Sequence, residues 1–185
     1  MSLTPSNMMP LGTNAPTFNL LDTVTDEFKS LEELKGEKGT VVAFICNHCP
    51  FVVHMNPQMA RVAKEYSEKG INFIAISSND VSNYPQDAPH LMKEIAIQEG
   101  YPFPYLYDQT QEIAKAYDAA CTPDFYLFDR NLELVYRGQF DSSRPGNGIP
   151  VTGSDLKNAI NALLDGKEID QNQKPSIGCN IKWFR

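Results

Sequence analysis

Short apolar runs along the chain alternate with stretches in which apolar residues return every three or four positions. That alternation points to strands joined by helical crossovers and to a mixed sheet. Thr17–Asp22 reads as a first strand and Glu27–Lys29 as its return, an N-terminal hairpin. Ser30 with Glu33 forms a capping box before a brief helix that ends near Leu34. Thr40–Cys46 is apolar almost throughout, as a strand covered on both faces should be. Pro50 suits a first helical position, and Phe51 or Val52, Met55, Met59, Val62 and Tyr66 then recur at helical spacing up to a cap at Gly70. Pro57 inside this run predicts a kink.

Further along, Ile71–Ser78 is a second buried strand, Asp87–Glu99 a helix stopped by Gly100, and Tyr105–Tyr107 a short strand. Gln109–Ala119 is predicted helical, and Phe125–Phe128 with Leu132–Arg137 form an antiparallel pair. Thr152 and Asp155 open a last helix that runs to Leu164, with Gly166 as its cap. Residues 167–185 show no period but include Ile177, Cys179, Ile181, Trp183 and Phe184, too apolar for a tail in water, so this C-terminal tail is expected to dock. The expected organisation is a single α/β domain over 1–185, with a core at about 14–166 and a C-terminal extension at 167–185. No function is attached to the opening Met1–Thr4.

With 16 basic against 23 acidic residues the net charge is −7, which argues against a nucleic acid or an anionic membrane as the main partner. No apolar stretch reaches the roughly 18 residues of a membrane span, and Met1–Ala15 lacks the regions of a secretory signal. The expected location is therefore the cytoplasm, where four cysteines are more readily inert, metal-binding or catalytic than structural disulfides.

The informative segment is Phe44-Ile45-Cys46-Asn47-His48-Cys49-Pro50-Phe51, where a buried strand gives way to a loop and Cys49 stands at the start of a helix. A sulfur there faces unpaired backbone N–H groups and the positive end of the helix dipole. Thiol pKa values at such positions fall from about 8.5 to roughly 3.5–7.5, and the thiolate is the nucleophile. An imidazolium at His48 would stabilise that anion further.

This arrangement, with Pro57 eight residues after Cys49, resembles the thioredoxin superfamily. Ala15-Pro16-Thr17-Phe18-Asn19-Leu20 is similar to the opening of its peroxiredoxin and membrane-anchored reductase branches, and Thr122-Pro123 before Phe125–Asp129 resembles its cis-proline loop. Cys-Asn-His-Cys-Pro at 46–50 and Ser-Ile-Gly-Cys-Asn-Ile-Lys-Trp at 176–183 resemble a peroxiredoxin-like, AhpC/TSA-related group, and the likeness covers about 14–183. The resemblance implies a thioredoxin-like fold, a central mixed β-sheet flanked by helices. Counting five residues from Phe44 aligns Cys49 with the superfamily's nucleophile, and three more reach Val52 where thioredoxins carry the second cysteine. Cys46 instead precedes the nucleophile. Relative to the peroxidatic pattern Pro-x-x-x-Thr/Ser-x-x-Cys, the chain has Val42 and Cys46 in place of the proline and the hydroxyl.

The activity so implied is thiol–disulfide exchange, with Cys49 and Cys46 catalytic and Thr122, Pro123 and His48 shaping the substrate groove. The partners are a protein or small-molecule disulfide or a peroxide, together with a dithiol reductant; no organic cofactor is required, because sulfur carries the electrons. One alternative is an antioxidant peroxidase in which Cys46 or Cys179 resolves a Cys49 sulfenic acid. Another is a soft-metal module for Cu or Zn built on Cys46, His48 and Cys49. A third is a redox-inactive interaction domain. Cys121 is assigned to core packing, His54 and His90 to the surface or to amphipathic helix positions, and Arg144 is a candidate cation near the thiolate.

Overall fold

The computed structural model describes residues 2–185. In chain order, β1 (Leu3–Pro5) precedes the hairpin of β2 (Asn19–Asp22) and β3 (Glu27–Ser30), which leads into α1 (Leu31–Leu34). The next elements are β4 (Gly39–Phe44), α2 (Pro50–Ser67), β5 (Ile71–Ser77), α3 (Pro89–Glu99), β6 (Tyr105–Tyr107) and α4 (Glu112–Ala116). β7 (Cys121–Thr122), β8 (Asp124–Asp129), β9 (Leu134–Gly138), α5 (Ser154–Leu164) and β10 (Ile177–Asn180) complete the chain. The Ser30 Oγ accepts the Glu33 N–H at 3.2 Å, so the cap read from sequence starts α1.

Seven strands form the central sheet in the order β3-β2-β6-β5-β4-β8-β9. β4, β5 and β6 run parallel, whereas β8 is antiparallel to β4 and β9 to β8, so the sheet is mixed as expected. Its central strand β4 is buried on both faces because its side chains alternate between two apolar layers. Val41 and Ala43 pack under α2, α3 and α5, whereas Val42 and Phe44 pack on the other face with Leu31, Ala114 and Tyr117. This burial holds the end of β4, and thus the 46–49 loop, in a fixed place.

α2 continues as one helix through Pro57. The carbonyl that Pro57 leaves without its helical donor belongs to exposed Val53, where water can serve it. The helix expected at Gln109–Ala119 shrinks to α4, because Gln111 and Asp118 take left-handed conformations with φ of 65° and 51°. Gln111 instead sends its side-chain amide to the Ser78 and Lys182 carbonyls.

A second sheet, in the order β1-β10-β7, is built from both ends of the chain. β10 pairs antiparallel with β7, setting Cys179 opposite Thr122 and Asn180 opposite Cys121, and β1 covers its other edge. The tail therefore docks, and Leu3–Pro5 acquires a role that local sequence did not show. Among the described residues no helix is long and apolar enough to cross a membrane.

Candidate active site

Cys49 is the N-cap of α2, with extended backbone (φ −68°, ψ 120°) and Pro50 following as the first helical residue. No acidic side chain stands in the first turn to compete for the helix N-terminus. The Cys49 side chain is completely buried, and its S–H can donate to the Thr122 carbonyl at 3.3 Å. Thr122, whose carbonyl lies against the nucleophile, precedes Pro123 through a cis peptide bond, as expected.

The Cys49 thiol is held well below the ordinary thiol range. The largest cause is a hydrogen bond from Cys179, followed by one from Cys46; burial opposes both, and the Val52 N–H and the Thr122 side chain add to them. The two donors are pushed the other way. Cys46 is raised by donating to Cys49, by burial and by the nearby Asp87 carboxylate. Cys179 is raised by donating to Cys49 and by burial, with Lys182 opposing. One sulfur is thus kept as the anion by two that stay protonated. Helix-start placement predicts the direction of the Cys49 shift, but its leading cause comes from a residue 130 positions away that only the docking of β10 brings near.

Asp87 was missed in the sequence as a site residue. It is fully buried just before α3, and its Oδ1 accepts the Asn47 and His48 N–H groups at 2.9 and 3.3 Å. Its Oδ2 meets His48 Nδ1 at 2.6 Å and accepts the Asn79 amide at 2.9 Å. One carboxylate therefore fixes the loop between the two cysteines. Its link to the loop has no signal in its own neighbourhood of sequence, since Asn47 and His48 lie about 40 residues upstream.

His48 stands beside Cys46, at 4.0 Å from its sulfur, and its ring stacks on Tyr84. Cys46 is also 3.6 Å from Thr122 Oγ1. Metal-capable atoms within 4.8 Å of one another belong to Cys46, His48 and Asp87, a set that includes Asp87 and omits the Cys49 of the sequence reading. The Asp87 oxygens in that set are already engaged by three N–H donors and the His48 ring. The Arg144 guanidinium donates to the Asp141 and Ser143 carbonyls and to Gln139. Cys121 is buried, as a packing residue should be, and His90 is exposed. His54 is half-buried on α2, with its Nε2 2.7 Å from Ser143 Oγ.

The sequence pattern that describes the AhpC/TSA family matches residues 11–137. The chain belongs to the AhpC/TSA family. This AhpC/TSA chain is 56% identical to an uncharacterized conserved protein from Geobacillus kaustophilus of known crystal structure, with a TM-score of 0.98 over 100% of this chain and 97% of that one. It is 28% identical over 127 residues to the thiol-disulfide oxidoreductase ResA of Bacillus anthracis, covering 69% of this chain and 68% of that protein. A putative thioredoxin from Neisseria meningitidis, 22% identical, shares the fold with a TM-score of 0.63 over 84% of this chain and 93% of that one. The AhpC/TSA chain thus has the thioredoxin-like fold.

Proposed function

We propose that the protein is a thiol-dependent oxidoreductase that exchanges disulfides through Cys49, with Cys46 as its partner. The observation that carries this reading is the buried Cys49 sulfur at the N-terminus of α2, with the Cys46 and Cys179 thiols hydrogen-bonded to it. The curated relatives called thiol-disulfide oxidoreductase ResA support the same chemistry.

The Cys49 thiolate attacks a substrate disulfide R–S–S–R, forming Cys49–S–S–R and releasing R–S⁻. That step removes the anion whose hydrogen bond and charge hold Cys46 in its protonated form. Cys46 can then lose its proton to the departing R–S⁻ and attack the Cys49 sulfur. The second R–S⁻ leaves, the substrate has gained two electrons, and a Cys46–Cys49 disulfide remains for a dithiol reductant to reopen. Asp87 and His48 keep the loop in register for closure over three residues. The organising step is the loss of charge on Cys49, which switches its neighbour from donor to nucleophile.

The test is turnover of a small disulfide in the presence of a dithiol, with disulfide mapping by mass spectrometry. Cys49→Ser is expected to lower turnover by about a thousandfold or more, and the oxidised wild type to carry the 46–49 bond. Retained turnover in Cys49→Ser, or hydrogen peroxide consumed faster than any disulfide, overturns the reading.

A further inference from the structure

Lys182 is a buried ammonium that the proposed disulfide exchange does not use. Its residue is only 6% exposed, and among the described residues it forms no ion pair with a carboxylate. A lysine is rarely buried without a partner of opposite charge, because leaving water costs an ammonium far more than a neutral group. Here Nζ donates to the Asn180 carbonyl at 2.6 Å and to Asn180 Oδ1 at 3.1 Å, and it lies 5.6 Å from the centre of the Tyr84 ring. These partners are all neutral.

The charge reaches the sulfur cluster by two routes. Lys182 follows Cys179 by three residues and pulls it toward the ionised form, against burial and against the hydrogen bond to Cys49. Tyr84 carries the His48 ring nearly parallel to its own at 5.9 Å, and His48 Nδ1 is 4.0 Å from the Cys46 sulfur. Both cysteines donate to the Cys49 thiolate. The Asp87 carboxylate also stands beside the loop, held by three N–H donors and the His48 ring. Asp87 does not take part in sulfur chemistry, so its charge is common to the oxidised and reduced forms. The charge that comes and goes is the one on Cys49.

We infer that Lys182 sets the redox potential of the Cys46–Cys49 couple: its ammonium stabilises the dithiol form, in which Cys49 is an anion, and finds no such anion in the disulfide. The inference rests on the proposed function in taking Cys46 and Cys49 as the couple, and adds what fixes its poise. In the reaction, a dithiol R(SH)₂ gives two electrons to the Cys46–Cys49 bond and closes its own disulfide. One of its protons ends on Cys46 and the other in water, leaving Cys49 as the thiolate. A cation near that thiolate makes the oxidised protein easier for a dithiol to reopen and the reduced protein a milder electron donor.

The backbone at 182 is held without help from the side chain. Its N–H donates to Asn79 Oδ1 at 2.9 Å, and its carbonyl accepts the Asp80 N–H and the Gln111 amide, both at 2.8 Å. Lys182→Met therefore removes the charge and keeps an unbranched stem. The experiment equilibrates the wild type, Lys182→Met and Lys182→Arg with mixtures of reduced and oxidised dithiothreitol at pH 7 and reads the fraction of 46–49 disulfide by mass spectrometry. The equilibrium constant for reduction is expected to fall about tenfold in Lys182→Met, a potential lower by about 30 mV, and to stay within about threefold of the wild type in Lys182→Arg. An unchanged constant in Lys182→Met, or an arginine variant displaced as far as the methionine one, overturns the inference. A wild type that oxidises without forming the 46–49 bond overturns the proposed function as well, so the two failures are told apart.

Discussion

Cys46 and Cys179 donate to the same sulfur from two differently built regions. Cys46 follows β4, the central strand of a seven-stranded sheet, and its loop is clamped by buried Asp87. Cys179 lies in a three-stranded sheet made from the two ends of the chain and a two-residue strand. The first donor is held by the core and the second by a small sheet of chain ends. A thiolate can therefore draw its two hydrogen-bond donors from parts of the fold that are fixed by different contacts.

Removing each donor in turn breaks the comparison most directly. Cys46→Ala should lower turnover by about a thousandfold and leave the Cys49–substrate mixed disulfide as the species seen by mass spectrometry. If Cys46→Ala turns over like the wild type while Cys179→Ala accumulates the mixed disulfide, the two roles are reversed.

The seam between the sheets offers the next largest effect. Asp124, the first residue of β8, is fully buried and accepts from Ser6 and Tyr126, while its Oδ1 has no hydrogen-bond partner among the described residues. Burial raises its pKa to about 7. The neutral acid is favoured in the folded protein, so its contribution is intact below the ordinary carboxylate pKa and is lost as pH rises through about 7. Denaturant unfolding should show stability falling by about 2–4 kcal/mol between pH 4 and 8 from this group. Asp124→Asn should flatten that fall; an unchanged slope would disprove the assignment.

The smallest effect concerns the electrostatic role of Cys179. In Cys179→Ala the iodoacetamide reaction at Cys49 should titrate about one pKa unit higher than in the wild type, because the first of its hydrogen-bond donors is gone. The direction is upward, since a lost donor weakens the anion more than the thiol. A profile identical to the wild type would mean that the helix terminus and Cys46 suffice.

Elements whose cause is local could be read directly from sequence. Thr40–Cys46 announces a doubly covered strand by composition, Ser30 and Glu33 announce a helix start, and Pro50 places Cys49 at the next one. The features that escaped depend on partners far along the chain. β7 is a strand only because β10 pairs with it, and β10 carries Cys179 to Cys49 by that pairing. Asp87 matters because the polypeptide returns it to the 46–49 loop, and nothing near Pro85 or Gln86 signals that encounter. Gln111 lost its expected helical conformation to a tail carbonyl that lies 71 residues later. The fold was legible because sheets repeat a local pattern, whereas the site is an agreement among distant segments.

The chain's single tryptophan, Trp183, follows β10 closely and is exposed, with the Lys115 ammonium 6.0 Å from the ring centre. Any motion of the tail away from α4 would part that ring from its cation. Its fluorescence is therefore an unlabelled optical reporter of where the tail sits, one that could be timed against the sulfur chemistry within one turnover.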